Sequence, residues 1–128
     1  MKVVLRCVVV LSLLAACSNS SPSGDDSGAT VNGCSAFTDA TTVTGPSGPT
    51  PAQYSPACVH VKVGQSVTFN LDFSDHPMQP FGGDTGNPIQ ETTSGTTATF
   101  TFASAGTFGF HCEAHPSIMQ GAVQVTAN

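Results

Sequence analysis

Apolar residues recur at every second position in several short runs, and this period of two commits the chain to strands. Val59, Val61 and Val63 alternate with His60 and Lys62, and beyond Gly64-Gln65 the residues Val67, Phe69, Leu71 and Phe73 alternate with Ser66, Thr68, Asn70 and Asp72. Two strands joined by so short a turn predict a hairpin. Residues 96–102 place Ala98, Phe100 and Phe102 on one face; residues 107–112 place Phe108, Phe110 and Cys112 on one face and His111 on the other; residues 122–126 form a last strand. Residues 80–95 have few apolar anchors and read as a long loop or a short helix. No helical period of useful length follows the first 17 residues, so the pattern predicts an all-β, Greek-key β-sandwich.

The chain's 128 residues leave room for one such domain. Only 9% of residues are charged and the net charge is −5, which excludes a basic face for a nucleic-acid backbone. Residues 1–16 carry Lys2 and Arg6 followed by an apolar run too short to span a bilayer, which reads as an export signal. Leu14-Ala15-Ala16-Cys17 resembles the lipobox of bacterial lipoproteins, which implies cleavage before Cys17 and lipidation of that cysteine. The expected location is therefore the cell envelope, lipid-anchored on the periplasmic side, at the outer membrane in a Gram-negative cell. Residues 17–33 are rich in Ser, Gly and Asp and read as a flexible linker, with the folded domain over 34–128. Loss of the signal leaves Lys62 as the one strong base against eight acids, a balance that steers toward partners with basic patches.

Of five cysteines, Cys7 falls in the signal and Cys17 in the lipobox, so Cys34, Cys58 and Cys112 remain and one stays unpaired. Oxidation is favoured outside the cytoplasm. Cys112 lies among His and Met residues while the other two do not, which pairs Cys34 with Cys58 and leaves Cys112 as a free thiol. The competing arrangement is a bridge that consumes Cys112.

The segment His111-Cys112-Glu113-Ala114-His115-Pro116-Ser117-Ile118-Met119 holds a C-x2-H-x3-M pattern at the end of a core-facing strand, and His76 lies in the loop after the Val67–Phe73 run. A thiolate, two imidazoles and a weak thioether are the donor set of trigonal copper sites for electron transfer, because the soft sulfurs suit Cu(I) and the imidazoles suit both valences. With VKVGQSVTFNLDF before His76, and GTFGFHCEAHPSIMQGAVQV around the remaining donors, residues 56–128 resemble the cupredoxin family, the plastocyanin, azurin and amicyanin relatives. The resemblance implies one copper ion with His76, Cys112 and His115 as equatorial ligands and Met119 as axial ligand. Two departures stand out: three residues separate His115 from Met119, and Pro77 replaces an Asn whose N–H would reach the thiolate. Pro77 has no N–H to give, whereas Ala114 has one.

The implied function is a membrane-tethered, monomeric carrier of single electrons between redox proteins, and not an enzyme. One rival is a copper storage or delivery protein with the same ligands. Another is an iron superoxide reductase-like centre, which four His and one Cys also fit by count; the opposite facing of His111 and Cys112 argues against it. Met78 reads as packing or a loop contact, His60 and His111 as surface strand residues, and Asp75, Asp84 and Glu113 as solvated loop charge.

Overall fold

The computed structural model describes residues 30–48 and 50–128. The export signal, Cys17 and the linker up to residue 29 lie outside the described residues. The elements described are β1 (Thr38–Asp39), β2 (Thr42–Thr44), β3 (Cys58–Lys62), β4 (Ser66–Asn70), β5 (Met78–Gly83), β6 (Thr97–Thr101), β7 (Gly106–Cys112) and β8 (Gln120–Thr126). They form two layers, a five-stranded sheet in the order β1-β3-β8-β7-β5 and a three-stranded sheet in the order β2-β4-β6. The predicted all-β sandwich is the fold found.

The hairpin expected between β3 and β4 does not form. β3 pairs in parallel with β1 and β8, whereas β4 pairs with β2 and β6 in the other layer. The link at Val63–Gln65 is an arch: Val63 N–H donates to Thr126 C=O in one sheet, and Gly64 N–H donates to Phe102 C=O at the edge of the other. The physical reason is apolar cover. A hairpin would lay Val59, Val61, Val67 and Phe69 side by side on one sheet, while the arch sets them face to face across the core, where all four are buried. The same change of layer recurs along the chain, since β1, β3, β5 and β7 belong to one sheet and β2, β4 and β6 to the other; only β7 to β8 stays within a layer.

The core is aromatic at its centre. Phe110 meets Phe69 edge-on at 5.0 Å between ring centroids and Tyr54 edge-on at 4.9 Å. The alternation of β7 holds as read: Phe108, Phe110 and Cys112 all point inward and are buried.

β5 replaces the first part of the loop or short helix read over 80–95. It pairs antiparallel with β7 through Met78–Cys112, Gln79–His111 and Pro80–Phe110, then bulges before Gly83 meets Phe108. Pro80 and two consecutive glycines hide this strand from a search for period two, and positive φ at Gly82 and Gly83 makes the bulge. Residues 84–95 do form a loop. It is anchored where Thr107 N–H donates to Asp84 Oδ2 (2.7 Å) and Asn87 Nδ2 donates to Gly109 C=O (2.7 Å).

The folded region also starts earlier than residue 34. Val31 and Cys34 close a small turn, and from it the Asn32 side-chain amide donates to the carbonyls of Phe81 (2.7 Å), Gly121 (2.9 Å) and Phe110 (3.2 Å), one on each of β5, β8 and β7. Polar composition alone had assigned Val31–Gly33 to the linker, but here the polar side chain is what fastens the segment. Gly109 makes room for it, since a Cβ there would stand 2.1 Å from Phe81 O and 2.6 Å from Asn32 Nδ2. Immediately beyond, Cys34 and Cys58 are disulfide-bonded, as their setting had indicated.

Candidate metal centre

Three segments converge at one end of the sandwich. Cys112 ends β7 and points into the core, where its thiol is free and fully buried. His76 is set by the turn after β4: Asp72 Oδ1 accepts from Ser74 N–H (2.9 Å), and Asp72 C=O accepts from His76 N–H (2.9 Å). The ring is fully buried as a result. His115 follows Cys112 in a tight turn, with its own N–H donated to Cys112 C=O (3.2 Å), and stays partly exposed.

The loop from Cys112 to Met119 is closed by its backbone. Met119 N–H donates to His115 C=O (2.9 Å), and Cys112 N–H donates to Met119 C=O (2.9 Å). Met119 itself is fully buried. The two ligand-bearing segments are also tied to each other, because Glu113 N–H donates to Pro77 C=O (2.8 Å). Pro77 thus contributes a carbonyl to the junction although it lacks an N–H.

The candidate ligand atoms form a compact triangle. Cys112 Sγ lies 3.7 Å from His76 Nδ1 and 3.7 Å from His115 Nδ1, and the three atoms lie within 4.8 Å of one another. At ordinary metal–ligand lengths of about 2.3 Å to thiolate and about 2.05 Å to imidazole, a 120° angle at the metal separates sulfur from nitrogen by about 3.8 Å. The observed spacing therefore fits a trigonal His₂Cys site. The tautomer fits as well: His76 Nε2 sits 3.0 Å from Gly48 C=O, so Nε2 carries the proton and Nδ1 keeps its lone pair toward the sulfur.

Other residues singled out in the sequence fall elsewhere. His111 turns to the outer face of β7 and stacks on Phe81 at 4.3 Å, and His60 bridges Asp39 (2.6 Å) and Thr126 (2.8 Å). Asp84 binds a backbone N–H as described, while Asp75 and Glu113 are exposed. Met78 is fully buried and stands directly across the ladder from Cys112. The N–H of Ala114 makes no hydrogen bond to Sγ; among the described residues the sulfur's polar neighbours are the two Nδ1 atoms alone.

Two features were not anticipated. Gly48 is one, because nothing in a Gly-Pro-Ser-Gly-Pro stretch foretells which carbonyl will meet a histidine 28 positions away. The other is Tyr54, whose buried hydroxyl has no hydrogen-bond partner among the described residues and whose phenol is pushed well above its ordinary pKa, first by burial and then by the Cys112 sulfur. It is the chain's single tyrosine, and that scarcity was the available signal.

Solved structures with this fold include a purple cupredoxin from Nitrosopumilus maritimus, 23% identical, with a TM-score of 0.52 over 68% of this chain and 100% of that one. A copper-containing nitrite reductase from Thermus scotoductus is 19% identical with a TM-score of 0.52; the match covers 67% of this chain but 22% of the reductase. A Cu(I) amicyanin variant is 26% identical over 66% of this chain and 80% of its own, with a TM-score of 0.49. No curated protein sequence matches the chain. The cupredoxin-like domain profile matches residues 7–125, nearly the whole length. With that match, the two-layer fold and a His-Cys-His triangle of trigonal dimensions, the chain belongs to the cupredoxin-like domain family, whose metal is copper.

Proposed function

We propose that the protein is a mononuclear type 1 copper protein that carries single electrons between proteins outside the cytoplasm, tethered to a membrane through lipidated Cys17, and that it has no enzymatic activity of its own. The observation that carries this reading is the pair of 3.7 Å distances from Cys112 Sγ to His76 Nδ1 and His115 Nδ1. Cys112, His76 and His115 would hold the ion, and Met119 would add a weaker thioether donor. Copper, when bound there, supplies a one-electron couple.

The chain's own residues suit that task by holding still. His76 is locked by Gly48 C=O, the Cys112–Met119 loop is closed at both ends, and the Glu113–Pro77 bond joins the two segments. A frame so constrained changes little when the metal changes valence, which keeps reorganisation small. His115 is the one ligand of the three with exposure, so its outer edge is the route for an electron, and exposed Ile118 beside it gives a partner an apolar contact. The acidic balance of the chain favours partners with basic patches. The domain acts as a monomer.

The test is a visible spectrum of the purified protein after addition of Cu(II), paired with Cys112→Ser. The expected result is an intense sulfur-to-copper band in the parent and none in the variant, with a reversible one-electron couple. An absent band overturns the reading. A band without reversible electron exchange favours storage or delivery.

A further inference from the structure

Two buried groups on the inner side of the metal centre are complementary, a hydroxyl without a hydrogen-bond partner and a sulfur met only by the two imidazole Nδ1 atoms among the described residues. One is the Tyr54 hydroxyl: the residue is 5% exposed, and its oxygen has no partner among the described residues. Leaving a buried hydroxyl unpaired is unfavourable, and a phenylalanine would fill the same space without that penalty. Packing accounts for the ring but not for its oxygen.

The other is the Cys112 sulfur. As a ligand it is a thiolate, an acceptor that is fully buried, and buried charge calls for donors. Position 77 is Pro and has no N–H, and no backbone N–H among the described residues reaches Sγ.

Donor and acceptor share one neighbourhood. Tyr54 packs edge-on against Phe110 at 4.9 Å, and Phe110 and Cys112 lie two residues apart on the inward face of β7. A phenol is protonated at neutral pH, so the hydroxyl is available as a donor. The backbone behind Tyr54 is fixed, because Ser55 and Thr44 exchange N–H···O=C bonds of 2.9 and 2.8 Å.

We propose that Tyr54 is a tuning residue of the metal centre, its O–H serving the Cys112 thiolate through one internal water, where no backbone N–H among the described residues reaches the sulfur. The inference rests on the copper reading above. A positive dipole end at the sulfur weakens the thiolate's donation to the metal and disfavours the more highly charged oxidised state, so the phenol raises the reduction potential.

The experiment compares the full chain and Tyr54→Phe, each loaded with Cu(II), by reduction potential and by the energy of the sulfur-to-copper band. Melting of the copper-free forms is followed in parallel. In the variant the electron equilibrium with a fixed mediator is expected to move about tenfold toward oxidised protein, a potential lower by about 59 mV. The band should move to lower energy, and the copper-free variant should melt no earlier than its parent. A purely structural role for Tyr54 would leave potential and band where they were, and that result, with copper stoichiometry intact, overturns the proposal while leaving the copper reading standing. Absence of any such band in the parent chain overturns both.

Discussion

Replacing Asn32 by Asp probes how the start of the domain is fastened. The Asn32 amide has two hydrogens and faces three carbonyls at 2.7, 2.9 and 3.2 Å, so it counts as about two full hydrogen bonds. At about 1 to 1.5 kcal/mol each, the amide contributes about 2–3 kcal/mol, a large fraction of a small domain's stability. Asn32→Gly removes only this contribution, because φ at the position is +52° and glycine accepts it. Asn32→Asp keeps size and backbone tolerance but turns acceptor oxygens toward three carbonyl oxygens, so it should be the more damaging of the two. Its folded-state pKa should be raised, since only the protonated acid can donate. A raised pKa gives a loss that is small below the unfolded value of about 3.9 and grows as pH rises through the folded one.

The assay is urea unfolding of the copper-free protein at about pH 3.5 and about pH 7. For a domain of this size a loss of about 2–3 kcal/mol lowers Tm by about 10–20 °C. The sulfur-to-copper band of the loaded protein should not move, because the ligand loops are closed by their own bonds. An Asp variant as stable as the Gly variant at about pH 7, or a Gly variant within about 0.5 kcal/mol of the parent, would refute the clasp.

Three further outcomes are expected. Gly109→Ala forces a methyl to within 2.1 Å of the Phe81 carbonyl and should destabilise the fold by about 1–3 kcal/mol in the same unfolding experiment. Removing the Cys34–Cys58 bridge, which links positions 24 apart, should remove about 3.5 kcal/mol by loop-closure entropy, measured as the shift in urea midpoint on pairwise replacement by Ala. Met119→Leu should raise the potential by taking away a weak donor to the oxidised metal, while Met78→Leu should leave the potential and spectrum unchanged although both side chains are fully buried; voltammetry separates them.

Legibility of the fold followed the alternation. β4 and β7 announce themselves because Val67 and Phe69, and Phe108, Phe110 and Cys112, sit at every second position, and the same rule foretold that Cys112 would face inward. Alternation is silent about which sheet a strand joins, so β3 and β4 looked like a hairpin until long-range pairing with β8 and β6 decided otherwise. β5 escaped because Pro80, Gly82 and Gly83 are poor strand formers, and its pairing with β7 overrides local preference. At the centre, the donor types and their spacing revealed the Cys112–His115 pair, and His76 followed from its place after a strand. The supporting contacts of Gly48, Asn32 and Tyr54 were not legible, because each depends on a partner more than 25 positions away or on a partner's absence.

Because the chain passes from layer to layer at every link except the one between β7 and β8, most of its turns act as seams that hold the two layers in register. The exceptional link is the stretch that presents Cys112, His115 and Met119. Its length can drift through insertion or deletion without unpicking a seam, so the chemistry at the tip is free to diversify on a chassis that stays the same.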